Sequence, residues 1–83
     1  MVLKFEQRNK TLVVFLMGEL DHHSAENVRI KIDNRVEQLG VKNILFDFSG
    51  VNFMDSSGIG VVIGRFKKIS ENGGSAAIVN LKP

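Results

Sequence analysis

The chain has 83 residues, of which 43% are hydrophobic and 24% are charged, and it contains no cysteine. A chain of this length makes at most one domain, and without cysteine it has neither a disulfide framework nor thiolate chemistry. Its net charge of +2, from 11 basic and 9 acidic residues, is too small to favour nucleic-acid binding, and there is no Trp or Tyr to stack on bases.

The sequence shows neither a membrane segment nor a secretion signal. No apolar run is long enough to span a bilayer, and the N-terminus lacks the basic region and long apolar core of a signal peptide. We therefore expect a cytoplasmic protein with no membrane partner. The basic cluster of Arg65, Lys67 and Lys68 is interpreted as a solvated helix face rather than a phosphate-binding patch.

Two strands are predicted at the start of the chain, at residues 2–6 and 11–17. The second strand consists of β-branched, aromatic and other apolar residues without a break, which is typical of a strand buried on both faces. Gly18 is predicted to end it. Residues 8–10 are polar and turn-like. The two strands are therefore expected to form a hairpin-like edge of the sheet.

An amphipathic helix is predicted at residues 24–39. Ser24 suits the N-cap, Glu26 in the first turn complements the helix dipole, and Gly40 is a C-terminal stop. Apolar residues recur at intervals of three and four, which predicts one face packed on a core: Ala25, Val28, Ile32, Val36 and Leu39.

The second half of the chain predicts a strand at residues 41–48, a loop at 49–52 and a last strand at 76–79. Residues 57–71 between them are ambiguous, because three glycines disfavour a helix and residues 61–63 favour a strand. Length, a charged end and an apolar face of Ile59, Val62, Ile63, Phe66 and Ile69 favour a helix, whose glycines would let it approach the sheet closely. The resulting β-β-α-β-α-β order indicates an α/β fold with parallel strand pairs and right-handed crossovers.

The stretch from Phe53 to Gly60 joins the third predicted strand to the second helix. Asp55, Ser56 and Ser57 can each accept a free N–H of the first helical turn. The two hydroxyls would then lie where the helix dipole is positive, a place that receives a phosphate well.

This stretch, Met54-Asp55-Ser56-Ser57-Gly58-Ile59-Gly60, and the upstream Gly18-Glu19-Leu20-Asp21-His22-His23 resemble the motifs of anti-sigma factor antagonists of spore-forming bacteria. These are single-domain members of the STAS group (sulphate transporter and anti-sigma antagonist). The two motifs have the family's spacing, and the resemblance covers essentially the whole chain. The run from Leu20 to His23 makes the chain more similar to the sporulation antagonist than to the general-stress one. The resemblance implies a STAS-like mixed sheet for residues 1–83, without the closing C-terminal segment that family members generally carry.

The resemblance further implies a non-catalytic phosphorylation switch. The unphosphorylated protein would bind an anti-sigma factor that is also a serine kinase, and would thereby release the sigma factor for transcription. Phosphorylation of Ser56, the serine directly after the aspartate, would end the complex, and a serine phosphatase would reverse it. Asp55 would orient the Ser56 hydroxyl in the kinase, and no cofactor is implied. The implied partner-binding residues are Glu19, Asp21, His22, Asp55, Ser56, Ser57 and Gly58.

Other interpretations of these residues stay open. The serines could merely cap a helix, and Asp21 could merely cap the helix that follows it. Alternatively, the chain could be a structural STAS module of a larger assembly. A small serine-dependent enzyme using Ser56 and a histidine is a further alternative, although the G-x-S-x-G elbow pattern is absent and a short chain leaves little room for a pocket. No metal site is predicted, because His22 and His23 are expected to point in divergent directions and no third His or Cys exists.

Two helices are too few to cover both faces of a four-stranded sheet, and the predicted strand at 11–17 is apolar on both faces. We therefore expect some apolar surface to face water. Such surface marks association sites, so the chain is expected to self-associate or to be less stable than a full-length relative.

Overall fold

The computed structural model describes residues 1–82. In chain order its elements are β1 (Val2–Arg8), β2 (Thr11–Leu20), α1 (Ala25–Leu39), β3 (Asn43–Met54), α2 (Ser56–Glu71) and β4 (Ser75–Val79). The strands form one sheet in the order β1-β2-β3-β4. β1 and β2 are antiparallel, whereas β2–β3 and β3–β4 are parallel. The predicted β-β-α-β-α-β order and the hairpin edge are therefore confirmed.

The two central strands are longer than the sequence predicted. β2 continues past Gly18 to Leu20, and β3 continues through the predicted loop at 49–52, so both of those predictions are wrong. Parallel pairing persists to Leu20 opposite Met54, after register shifts on either side of Gly18. Gly18 has a φ of 112°, a conformation that glycine adopts readily, and it therefore bends β2 at an irregularity instead of ending it.

Both helices pack on the same face of the sheet. The crossovers from β2 to β3 and from β3 to β4 run in one direction along the sheet, and right-handed crossovers then place their helices on one side. The core between sheet and helices contains alternate strand residues and the inner helix residues: Leu12, Val14, Leu16, Ile44, Phe46, Phe48, Val28, Ile32, Val61, Val62 and Ile69. The Phe46 ring stacks on Phe66 of α2 at a centroid distance of 5.9 Å.

The opposite face of the sheet carries no helix in the part of the chain that the structure describes. Val13 and Phe15 of β2 and Leu45 of β3 lie on this face, next to charged residues of β1. The ammonium of Lys4 lies 5.9 Å from the centroid of the Phe15 ring. Val2, Met17 and Val79 are exposed. The expectation that apolar surface faces water is confirmed for these three exposed residues but not for Val13, which is only 4% exposed, while self-association stays a prediction.

The predicted basic cluster does not form a solvated helix face. Lys67 and Lys68 are exposed, but Arg65 is buried because it lies on the side of α2 that faces α1. There it meets Asp33. The helices themselves are too short and too polar to cross a membrane, within the 82 residues described.

Candidate functional site

The two sequence motifs meet at the carboxyl ends of β2 and β3. Leu20 and Met54 are paired as the last residues of these parallel strands, so Asp21 and Asp55 leave the sheet side by side. Binding sites of parallel sheets gather at this edge. The adjacency of the two motifs is therefore a feature of the strand pairing.

Asp55 is the N-cap of α2 and also holds the neighbouring turn. Its Oδ1 accepts hydrogen bonds from the N–H groups of Ser57, at 2.9 Å, and Gly58, at 3.1 Å. Its Oδ2 accepts the N–H of His22 at 3.2 Å and lies 3.7 Å from His22 Nδ1. The hydrogen bond from Gly58, followed by those from His22 and Ser57, holds the pKa of the Asp55 carboxyl below its usual value.

Ser56 is the first residue of α2, one position earlier than the predicted helix start, and its side chain is exposed like that of Ser57. Both oxygens of Asp55 bond to backbone N–H groups. Asp55 therefore sets the backbone around Ser56, and its expected role of orienting the Ser56 hydroxyl within a kinase stays a prediction.

Gly58 fixes the start of α2 against the end of β2. A Cβ added at Gly58 would lie 2.1 Å from the carbonyl oxygen of Leu20, which is far inside van der Waals contact. The N–H of Asp55 donates to the same carbonyl oxygen at 3.3 Å. The predicted close approach of the helix to the sheet is therefore found at Gly58. It is not found at Gly60 or Gly64, where an added Cβ would meet no atom within 4 Å.

The turn at residues 21–24 is closed by the Asp21 side chain. Its Oδ1 accepts the N–H groups of His23, at 3.0 Å, and Ser24, at 3.1 Å. Ser24 occupies the N-cap position of α1 as predicted, but its hydroxyl makes no capping bond to the helix. It donates instead to the carbonyl of Glu19, the exposed penultimate residue of β2, at 2.9 Å. The turn is therefore a fixed structure bound to both β2 and α2.

The two histidines do not diverge as expected. The ring centroids of His22 and His23 lie 3.9 Å apart and the planes are tilted by 38°. No group of three or more potential metal ligands occurs within residues 1–82. His22 contacts Asp55 through its backbone N–H, an arrangement that residue spacing alone does not reveal.

Three apolar side chains near Ser56 are exposed to solvent, which the sequence did not predict. Phe53 is 52% exposed, Ile59 44% and Ile63 61%. Ile59 and Ile63 were assigned to the core face of the helix, but they lie about one and two turns after Ser56, on its side of α2. The apolar side chains of α2 cover a wider arc of the helix than its buried residues do, so hydrophobicity alone could not identify which part of that arc is buried.

Comparisons with known proteins agree with the two motifs. A family model described as the STAS domain matches residues 3–83. The anti-sigma F factor antagonist of Paenibacillus polymyxa is 37% identical over 81 residues, which cover 98% of this chain and 69% of that protein. That of Lysinibacillus sphaericus is 40% identical over 74 residues, which cover 89% of this chain and 63% of that protein.

Solved structures show the same similarity. The anti-sigma factor antagonist SpoIIAA in its unphosphorylated form is 37% identical with a TM-score of 0.84, covering 99% of this chain and 76% of that one. The Bacillus cell fate determinant SpoIIAA in its phosphorylated form is 38% identical with a TM-score of 0.79, covering 99% and 75%. The resemblance inferred from the motifs is confirmed, and the chain belongs to the STAS domain family.

Proposed function

We propose that this chain is an anti-sigma factor antagonist controlled by phosphorylation of Ser56. The unphosphorylated form binds an anti-sigma factor that is also a serine kinase and thereby frees a sigma factor in the cytoplasm. Phosphorylation ends this complex, and a serine phosphatase restores it. Support comes from the identity to two anti-sigma F factor antagonists and from the likeness to SpoIIAA, which has been solved with and without phosphate.

The observation that carries the proposal is the placement of Ser56. Its side chain is exposed at the first position of α2, while the backbone that follows it is held by the Asp55 carboxylate. A kinase can therefore reach the hydroxyl without unfolding the helix. The positive end of the helix dipole would stabilise the phosphate once it is attached.

The proposed partner face has an apolar part and a polar part. Phe53, Ile59 and Ile63 supply exposed apolar surface beside Ser56, as the desolvated centre of an interface requires. Glu19, Asp21 and His22 supply charged and polar groups at its margin. We include these six residues, with Asp55 and Ser57, in the surface that the kinase recognises, and Gly58, which is buried, supports that surface from below.

A phosphate at Ser56 would disrupt this face by charge and desolvation. It adds close to two negative charges next to Asp55, whose lowered pKa keeps it ionised. Removing a dianion from water against an apolar partner surface is unfavourable. An uncompensated charge at a contact weakens binding by about 2 kcal/mol or more, roughly thirtyfold.

We propose a regulatory role in preference to an enzymatic one. The STAS relatives named above are antagonists of regulatory factors. In addition, both Asp55 oxygens already accept backbone N–H groups, which leaves the carboxylate poorly placed to act as a base for Ser56.

Phosphorylation with a cognate anti-sigma factor kinase and ATP tests the proposal. Mass spectrometry of the 53–60 peptide should find one phosphate on Ser56, and Ser56→Ala should bind the kinase without incorporating phosphate. Ser57→Ala is the matched control and should still be phosphorylated. Phosphate on Ser57 of the wild-type chain would show that the site is wrong, and absence of kinase binding would refute the function.

A further inference from the structure

Arg65 is the one charged residue buried in the described part of the chain. Its Nε lies 3.0 Å from Oδ1 of Asp33 on α1, and the two side chains are only 10% and 16% exposed. Oδ2 of Asp33 also lies 3.8 Å from Arg29 and 3.7 Å from Lys68. The Asp33 carboxylate therefore links α1 to α2 through Arg65 and has further cations beside it.

Stability alone is a poor explanation for this pair. Desolvation commonly offsets the attraction within a buried ion pair. The Arg65–Asp33 contact is close but poorly aligned, so Arg65 Nε and Nη1 have no hydrogen-bond acceptor among residues 1–82. A cleft of about 30 Å³ lined by Asp33, Arg65 and Asn72 has room for a single water beside them. A buried arginine whose hydrogen-bonding groups are only partly paired therefore needs an explanation other than stability.

The position of the Arg65–Asp33 pair along the two helices suggests why the pair is present. Asp33 lies eight residues after Ala25, the first residue of α1, and Arg65 lies nine residues after Ser56, the first residue of α2. Both helices connect parallel strands and therefore run in the same direction. At about 1.5 Å per residue the contact lies roughly 12 Å from the start of α1 and roughly 14 Å from the start of α2. It therefore opposes any sliding of α2 along α1.

A second connection joins the same two helices at their starts. The N–H of His22, in the turn before α1, donates to Asp55, the N-cap of α2, at 3.2 Å. One connection thus lies at the candidate site, and the other lies at a similar depth along both helices. Two separated connections restrict tilting as well as sliding.

We propose that Arg65 and Asp33 are positioning residues that hold the turn at 21–24 and Ser56 at the spacing the kinase recognises. This inference rests on the proposed function and adds to it two residues outside both sequence motifs. Neither residue touches the phosphate acceptor. They act by fixing the register of α2 against α1.

The double variant Asp33→Leu/Arg65→Met tests the inference, because apolar residues of similar size can replace a buried ion pair without loss of stability. We expect its urea midpoint to equal or exceed that of the wild type. The amide signals of His22 and Gly58, which both report bonds to Asp55, should shift or broaden. The KM for phosphorylation should rise about tenfold or more, with a smaller change in kcat, because the two halves of the surface no longer keep their spacing.

Lys67→Met is the matched control, since it removes an exposed charge from the same helix, and it should behave as the wild type in all three measurements. A double variant with the wild-type KM and unchanged His22 and Gly58 amide signals would overturn the inference. A wild-type chain that no anti-sigma kinase binds would instead refute the proposed function, and the amide signals would still decide whether the pair positions the site.

Discussion

At the scale of single residues, Asp55 joins elements that are far apart in sequence. It caps α2 and accepts the N–H of His22, which is 33 residues away. The capping role could be predicted, because Asp at a strand-to-helix junction is a preferred N-cap. The bond to His22 could not, because it depends on how β2 and β3 end beside each other.

We predict that Asp55 makes stability pH dependent in acid. Its pKa is lowered in the folded chain, whereas in the unfolded chain it should be about 3.9. The stabilisation is therefore fully present above about pH 4 and is lost as the pH falls through the lower folded value. Urea unfolding should show a difference between wild type and Asp55→Asn, which cannot ionise, that shrinks below about pH 4. Hydrogen bonds from Ser49 and Asn80 also lower the pKa of Asp47, but Asp47 is present in both proteins, so its contribution cancels in the difference. A difference that is constant with pH would contradict the prediction.

We predict that Asp21 has separable structural and binding roles. Its carboxylate closes the turn by accepting two backbone N–H groups, so Asp21→Ala should lower the free energy of unfolding by about 1 kcal/mol. Asp21→Asn keeps an acceptor and removes the charge, and it should weaken kinase binding with little change in stability. Calorimetric titration and urea unfolding measure the two effects. If Asp21→Asn binds the kinase with wild-type affinity, the charge of Asp21 does not contribute to the partner face. Tight zinc binding that is lost in His22→Ala would show that these residues form a metal site instead.

At the scale of elements, two glycines at the start of α2 should respond oppositely to alanine. Gly58→Ala places a Cβ 2.1 Å from a backbone oxygen of Leu20, which cannot move aside without shifting β2, so we expect a loss of about 1–3 kcal/mol. Gly60→Ala meets no atom within 4 Å and should gain up to about 1 kcal/mol from helix propensity. Urea unfolding of both variants checks this pair. Equal effects would show that α2 does not approach β2 as closely as described.

At the scale of the whole molecule, the sheet offers surfaces on which copies could associate. β4 is an edge strand without charged residues, and Ile78 and Val79 are each more than a third exposed. The helix-free face adds Val2 and Met17. Unpaired edges and large apolar patches commonly mark association sites.

We therefore predict that the mass measured by light scattering rises with protein concentration. Ala77→Lys places a charge on the edge strand, where lysine blocks strand pairing, and should lower the measured mass. Lys82→Ala is a control outside the strand and should leave it unchanged. A monomer at high concentration that unfolds as cooperatively as a full-length relative would show that the described residues form a sufficient core.

The sequence by itself determined the element order, the hairpin edge and the motif at the start of α2. Caps, turns and hydrophobic periodicity depend on residues within a few positions of one another. Only the tertiary structure decided that β2 and β3 extend past Gly18 and Phe48, that Arg65 is buried, and that Ile59 and Ile63 face solvent. Those features depend on pairing and packing between segments distant in sequence. Gly18 locally favours the end of a strand, yet parallel pairing with β3 continues on both sides of it, and this pairing extends β2 to Leu20.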